Sequence, residues 1–125
     1  MSKTADLRDL VTEKLNTIRG ASYYRKAPDD ANFPYKTFDL SRMDAGNSHR
    51  DDIDLCVDIW DRCIDPKSVD EIADKIEELF DVVNIPRDTI LPTFFRTSRY
   101  PVEDQDKNIQ HTQLHFLVEL YTKKE

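Results

Sequence analysis

Glycine is scarce in this chain, which has only Gly20 and Gly46 among its 125 residues. A phosphate-binding loop needs closely spaced glycines so that backbone amides can approach the phosphates. The nucleophile elbow of many hydrolases needs the pattern Gly-x-Ser-x-Gly. Two glycines so far apart can supply neither pattern. The sequence therefore excludes a glycine-rich nucleotide site and an elbow-type hydrolase.

Cysteine and long apolar runs are also scarce. Cys56 and Cys63 are the two cysteines, and they do not form a Cys-x-x-Cys pair. No apolar run approaches the ~20 residues that span a bilayer, and the N-terminal residues lack the apolar core of a signal peptide. We therefore expect a cytosolic protein that makes no membrane contact. We expect both thiols to be free.

Positive charge is outnumbered. The chain carries 25 acidic and 18 basic residues, which gives a formal net charge of -7. Proteins that grip nucleic acid draw most of their affinity from Lys and Arg, so tight binding to DNA is not expected. Hydrophobic residues make up 38% of the chain, which is enough for a folded domain. The length predicts one domain over residues 1–125 that needs no metal or disulfide to fold.

The most regular stretch is 52–61. Its apolar residues recur at every second position, as they do in a strand with one buried face. The other face carries Asp54, Cys56, Asp58 and Trp60. That face is too acidic to bury unpaired, so the sheet should be covered on one side only.

The remaining pattern completes an α+β fold. An amphipathic helix is predicted over 4–18, and a second over Val69–Phe80 with Ser68 and Glu71 as its capping box. Further strands are predicted over 23–24, 33–40, 93–100 and 114–121, with polar connections over 41–50 and 102–111. This order predicts a mainly antiparallel sheet with two helices packed on one face.

Two arrangements have part of the spacing of a metal site. Asp104, Asp106 and Asn108 have the opening spacing of a calcium loop, but Ile109 stands where glycine is needed and His115 where glutamate is needed. His111 and His115 would lie roughly 13 Å apart along a strand, which is too far to share an ion. We therefore expect no metal and no cofactor.

Evidence for catalysis is weak. Asp58 and His115 are the pair that neighbouring strands could bring together as a catalytic constellation. In so acidic a chain, chance pairs of this kind are common and carry little weight. The chain is expected not to be an enzyme.

Trp60 is the most unusual residue of the acidic face. It is either an anchor for a partner protein, as aromatic residues often are, or it lies under a loop or the first helix. Arg96 and Arg99 are expected to pair with the acidic stripe, within the chain or on a neighbouring subunit. The candidate assembly interface is therefore Asp54, Asp58, Trp60, Arg96 and Arg99.

The order of these motifs resembles a known family. The chain contains five motifs in a fixed order. They are an N-terminal amphipathic helix, Phe33-Pro34-Tyr35, the strand over 57–61, the helix over 69–80, and Asp104-x-Asp106-Lys107 leading into Gln113-Leu114-His115-Phe116. Over nearly the whole chain this order is similar to the tail-completion, tail-terminator and tail-to-head joining proteins of tailed phages and prophages.

The resemblance implies a virion protein that caps the end of the tail tube and joins the tail to the head connector, usually as a six-fold ring. Its partners would be copies of itself, the tail tube protein and the connector protein, and it would wait in the host cytoplasm as a monomer before assembly. DNA would only pass through the lumen of the ring, where acidic residues would repel its phosphates. The expected docking loops, mobile before assembly, contain Asp44, Asn47, His49, Arg50, Asp104, Asp106 and Lys107.

Three other interpretations remain open. The chain is a neighbouring neck (head completion) protein, a stand-alone protein-binding or regulatory domain with a ferredoxin-like sheet, or a small enzyme.

Overall fold

The structure is a computed structural model that describes residues 2–43 and 50–123. The expected hairpin residues Asp44, Asn47 and His49 lie outside the described residues. In chain order the elements are α1 (Lys3–Leu15), β1 (Ala21–Tyr24), β2 (Tyr35–Arg42), β3 (Arg50–Arg62), α2 (Lys67–Leu79), β4 (Val83–Asn84), β5 (Ile90–Val102) and β6 (Ile109–Thr122).

The strands form one sheet in the order β1-β2-β3-β6-β5-β4. Each neighbouring pair is antiparallel except β1 and β2, which are parallel. The expected α+β class with a mainly antiparallel sheet is confirmed. The ferredoxin-like alternative is wrong about the sheet, because that fold alternates strands and helices as β-α-β-β-α-β and this chain does not.

The core lies between the sheet and the two helices. Alternate residues of β3, such as Leu55, Val57 and Ile59, are fully buried, and so are the facing residues of β6. Leu7 and Val11 of α1 and Ile72 of α2 belong to the same buried cluster. Both helices therefore cover the same face of the sheet, and within residues 2–43 and 50–123 no helix lies on the face that carries Asp54 and Asp58.

The connection after α1 depends on Gly20. The helix ends at Leu15, three residues before the predicted end at Ile18. Gly20 has φ +94°, and a Cβ there would lie 2.9 Å from the carbonyl oxygen of Pro34. Both the backbone angle and the close approach favour glycine. The chain can thus turn sharply from α1 into β1.

Lys36 is a buried cation beside that connection. It lies on the helix-covered face of β2, and its side chain is inaccessible to solvent. Its Nζ donates hydrogen bonds to the carbonyl oxygens of Ile18 at 3.1 Å, Arg19 at 2.9 Å and Gly20. Burial, with a smaller contribution from Arg19, lowers the pKa of Lys36 to about 8. This lysine therefore holds the end of α1 to the sheet.

The predicted capping box of α2 is wrong. The helix begins at Lys67, so Pro66 is the N-cap and has no side chain that could cap it, while Asp65 Oδ1 accepts a hydrogen bond from the Lys67 amide at 2.9 Å. The Ser68 hydroxyl instead donates to Asp61 Oδ2 at 2.6 Å and accepts from Arg19 at 2.7 Å. Ser68 is used to tie α2 to the end of β3, because a hydroxyl one residue inside the helix cannot reach the free amides.

Candidate functional site: the outer face of the sheet

The outer face is the side of the sheet without helices. Alternation along β3 places Asp54, Cys56, Asp58 and Trp60 there, as the sequence predicted, and all four are partly buried. The register with β6 sets Cys56 opposite His115 and Trp60 opposite His111. The face is therefore built from a β3 row of acidic and aromatic groups and a β6 row that contains two histidines.

The histidines pair with the aspartates diagonally. His111 Nε2 lies 2.7 Å from Asp58 Oδ1, and His115 Nδ1 lies 3.1 Å from both carboxylate oxygens of Asp54. The pair that the sequence left open, Asp58 with His115, is not the one that forms. The register places Asp58 opposite Gln113, so each histidine reaches the aspartate one pleat away instead.

Gln113 connects the two pairs. Its Nε2 donates to Asp58 Oδ1 at 2.9 Å, and its Oε1 lies 2.8 Å from His115 Nε2 and accepts the Tyr100 hydroxyl. Burial raises the pKa of Asp58, but hydrogen bonds from His111 and Gln113 outweigh it, so its pKa falls below the usual value. Asp58 is consequently held as a carboxylate within a continuous polar network.

Cys56 lies beside this network but is not an activated nucleophile. Its Sγ lies 3.9 Å from His115 Nε2, and His115 in turn contacts Asp54, an order that is typical of catalytic triads. However, burial raises the pKa of the Cys56 thiol to about 12, with further contributions from Asp58 and Asp54. Only the thiolate attacks, so this geometry does not supply a nucleophile at neutral pH. Both cysteines are free thiols, as expected.

Trp60 belongs to an aromatic row that crosses the sheet. Its ring stacks on Tyr35 at a centroid distance of 5.1 Å and on His111 at 4.3 Å. Tyr35 in turn contacts Tyr23 and Phe33. The faces of the indole are thus occupied by its own chain, and what it offers to a partner is an edge. Its role as an anchor stays a prediction.

Arg96 and Arg99 were predicted to pair with the acidic residues of the outer face, but within the chain they pair with acidic residues of α2 instead. Arg99 Nη1 lies 2.7 Å from both Asp74 and Glu77 of α2, and Arg96 lies 3.5 Å from Glu77. A β-bulge between Arg96 and Ser98 shifts the register, so two residues three apart face the same side. Strict alternation would have placed them on opposite faces. The expected interface residues are therefore divided, with three on the outer face and two against α2.

The expected docking loops are shorter than predicted. Arg50 belongs to β3, where it forms ion pairs with Asp52 and Glu119. β6 begins at Ile109, so the second loop covers only 103–108. Within it the Asp106 amide donates to Asp104 Oδ1 at 2.9 Å, and Asp106 binds Arg62 at 3.1 Å. This loop is braced by local contacts that the sequence did not reveal.

A groove of about 910 Å³ lies beside the 103–108 loop, between the start of α2, the end of β5 and the start of β6. Its apolar lining comes from Pro66, Pro101, Val102 and Ile109. Asp104 borders the groove. Burial is the main cause that raises the pKa of Tyr35, and the negative charge of Asp104 is the second cause. The 103–108 loop therefore also lies near the aromatic row. No sequence signal indicated this groove, because its walls come from two stretches that are far apart in the chain, 66–70 and 99–112.

The described part of the chain shows neither metal clusters nor membrane helices. Within residues 2–43 and 50–123, no three His, Cys, Asp or Glu side chains converge as metal ligands. In the same ranges, no helix combines the length and apolarity that crossing a bilayer requires.

Comparison with known proteins gives a fold relationship. No family model matches the chain, and no curated protein matches it. Among solved structures, it is similar to a chain from the virion of a native gene transfer agent (GTA) particle. The two chains are 10% identical, the match covers 89% of this chain and 84% of the other, and the TM-score is 0.68. At that identity, the finding establishes that the two chains share a fold.

Proposed function

We propose that this chain is a structural protein of a phage-like virion. The observation that carries the proposal is the shared fold with a virion chain over 89% of the sequence. The order of sequence motifs, which resembles the tail-completion proteins, supports the same conclusion independently of the coordinates. A protein of this kind acts by fitting against its neighbours and makes or breaks no bonds.

Within the virion, we place the chain at the end of the tail tube, where it caps the tube and joins the tail to the head connector. Tail-completion proteins are the family that the motif order resembles. We propose that the copies form a closed ring at this position. In such a ring, one patch on each copy contacts a different patch on the next copy. Before assembly the protein waits in the host cytoplasm, and in the virion it occupies the neck.

The outer face supports a structural role. Its Asp54 and Asp58 carboxylates are held by histidines and a glutamine, so the face presents two negative charges in fixed positions. If this face lines the lumen of a ring, its charge repels passing DNA, and the genome slides without sticking. The pKa of the Cys56 thiol, which burial raises to about 12, disfavours thiolate chemistry beside His115 and supports a role without catalysis.

Electron microscopy tests this proposal. Tail tubes prepared without the chain are mixed with the purified protein, and the tube ends are examined. We expect capped tubes of defined length that then attach heads. Bare tube ends would refute the proposal, and a neck protein would bind the head connector while leaving the tubes bare.

A pair of variants examines the 103–108 loop in the same assay. Asp104→Ala with Lys107→Ala alters two exposed residues that point away from the core. The matched control is Asp88→Lys, an exposed residue at the other end of β5. Weaker capping by the first variant alone is expected. Equal capping by both would remove this loop from the docking surface.

A further inference from the structure

His115 lies where three neighbouring strands of the outer face meet. It belongs to β6, which runs between β3 and β5 in the sheet, and it is partly buried. Asp54 and Cys56 approach its ring from β3, and Tyr100 approaches it from β5. Gln113, one pleat away on β6 itself, completes its surroundings. The hydrogen bonds of these neighbours determine how many protons the ring must carry.

The amide of Gln113 can face only one way. Burial raises the pKa of Asp58, but hydrogen bonds from His111 and Gln113 outweigh it, so Asp58 is a carboxylate that can only accept hydrogen bonds. Its Oδ1 lies 2.9 Å from Gln113 Nε2, and its Oδ2 accepts the Cys56 thiol at 3.7 Å. The nitrogen of the amide must therefore face Asp58, and the amide oxygen faces His115.

Both ring nitrogens of His115 consequently face acceptors. Nδ1 lies 3.1 Å from both oxygens of Asp54, and Nε2 lies 2.8 Å from Gln113 Oε1. A neutral imidazole can donate from only one nitrogen, which would leave the other lone pair against an oxygen. The Tyr100 hydroxyl lies 3.2 Å from Nε2 but donates its single proton to Gln113 Oε1. Only a ring with two protons satisfies every contact.

The charges of the outer face are consistent with a cation at this position. The other carboxylates of the face have arginine partners: Asp39 with Arg25, and Asp52 and Glu119 with Arg50. Asp54 and Asp58 pair with the two histidines instead. A positive charge on His115 would give Asp54 the counterion that the other carboxylates take from arginine.

We propose that His115 is held as the imidazolium, and that its second proton is a switch that closes a hydrogen-bond network across β3, β6 and β5. With both protons in place, Asp54, His115, Gln113 and Tyr100 form an unbroken series. Histidine is the side chain that changes its charge between about pH 5 and 8. Loss of the proton leaves either Asp54 or Gln113 without its donor and adds one negative charge to the outer face. This inference does not depend on the proposed place in the virion.

NMR spectra of the ring nitrogens in the full chain at pH 7 test the charge of His115. The two nitrogens of an imidazolium resonate close together, whereas those of a neutral ring are widely separated. We expect the imidazolium pattern in wild type and the loss of one ring proton in Asp54→Asn. Tyr100→Phe is the matched control, because it leaves Gln113 Oε1 as the acceptor and should keep the imidazolium pattern. A His115→Gln variant identifies the signals.

Urea unfolding tests the switch. A proton that the folded chain holds more tightly than the unfolded chain adds stability at low pH, and this stability is lost as pH rises. The stability difference between wild type and Asp54→Asn should therefore be largest at pH 6 and shrink toward pH 9. Tyr100→Phe should differ from wild type equally at both pH values. Every variant keeps Lys36, so the titration of that lysine cancels in each difference.

Four outcomes would overturn the inference. These are a neutral ring in wild type at pH 7, an imidazolium that persists in Asp54→Asn, a neutral ring in Tyr100→Phe, and a stability difference for Asp54→Asn that stays constant from pH 6 to pH 9. None of the measurements uses tail tubes or a second protein. Their results are therefore separate from those of the capping assay.

Discussion

Lys36→Met removes the buried ammonium while keeping most of the side-chain volume. Three carbonyl oxygens, those of Ile18, Arg19 and Gly20, then lose the hydrogen bonds that Nζ donates. An interior acceptor left without a partner costs about 1–3 kcal/mol. Part of this loss is offset because the variant no longer buries a charge. We expect the free energy of unfolding at pH 7 to fall by about 3 kcal/mol, taking both effects together.

The pH dependence of the same variant provides a second measure. The pKa of Lys36 is lowered from 10.5 to about 8 in the folded chain. Between these values the unfolded chain keeps a proton that the folded chain has lost, so the lysine adds stability to the wild type as pH rises. The stability difference between wild type and Lys36→Met should therefore widen from pH 8 to pH 10.5.

Urea unfolding followed by circular dichroism at several pH values measures both effects. Lys26→Met serves as the control, because Lys26 is exposed and its loss should change stability little. If Lys36→Met were as stable as this control at pH 7, the three hydrogen bonds would not hold the end of α1 to the sheet. A difference that stays constant with pH would contradict the lowered pKa.

Three further predictions concern single residues. Gly20→Ala should lower the free energy of unfolding by about 1–3 kcal/mol in urea titrations, because the alanine would need a positive φ and its Cβ would clash with the carbonyl oxygen of Pro34. Unchanged stability would contradict this turn geometry. Trp60→Ala should lower it by about 2 kcal/mol and Trp60→Phe by less, since phenylalanine keeps part of the stacking; equal losses would show that stacking is unimportant. At pH 8, iodoacetamide should label Cys63 well before Cys56, whose thiol has a pKa of about 12, and a Cys63→Ser variant that labels quickly would refute this order.

The periodicity of the sequence predicted what depends on burial alone. Alternation along β3 placed Asp54 and Asp58 on the outer face, because one face of a strand next to a core must be apolar. The same reasoning predicted β6, which extends five residues further toward its N-terminus than the predicted start at Leu114. The two helices followed from their apolar spacing. These elements are determined by local patterns, so a single sequence is sufficient to find them.

The features that were missed depend on contacts between distant segments. Ser68 has the sequence spacing of a helix cap, but its hydroxyl instead bonds to Asp61 and Arg19, which only the fold brings near it. The bulge after Arg96 has no signature in the sequence, and it turned Arg99 to the same side as Arg96, toward α2. The alternation of residues in β2 could not predict that Lys36 is buried, because the carbonyl oxygens that accept its hydrogen bonds come from the end of α1.

The central proposal is that this chain is a structural part of the neck of a phage-like particle. Cryo-electron microscopy of particles purified from the producing cell, with mass spectrometry of their proteins, tests it most directly. The account predicts that the chain is present and that a ring of this fold lies between the tail tube and the head connector. Complete particles with joined heads and tails that lack the chain would contradict it.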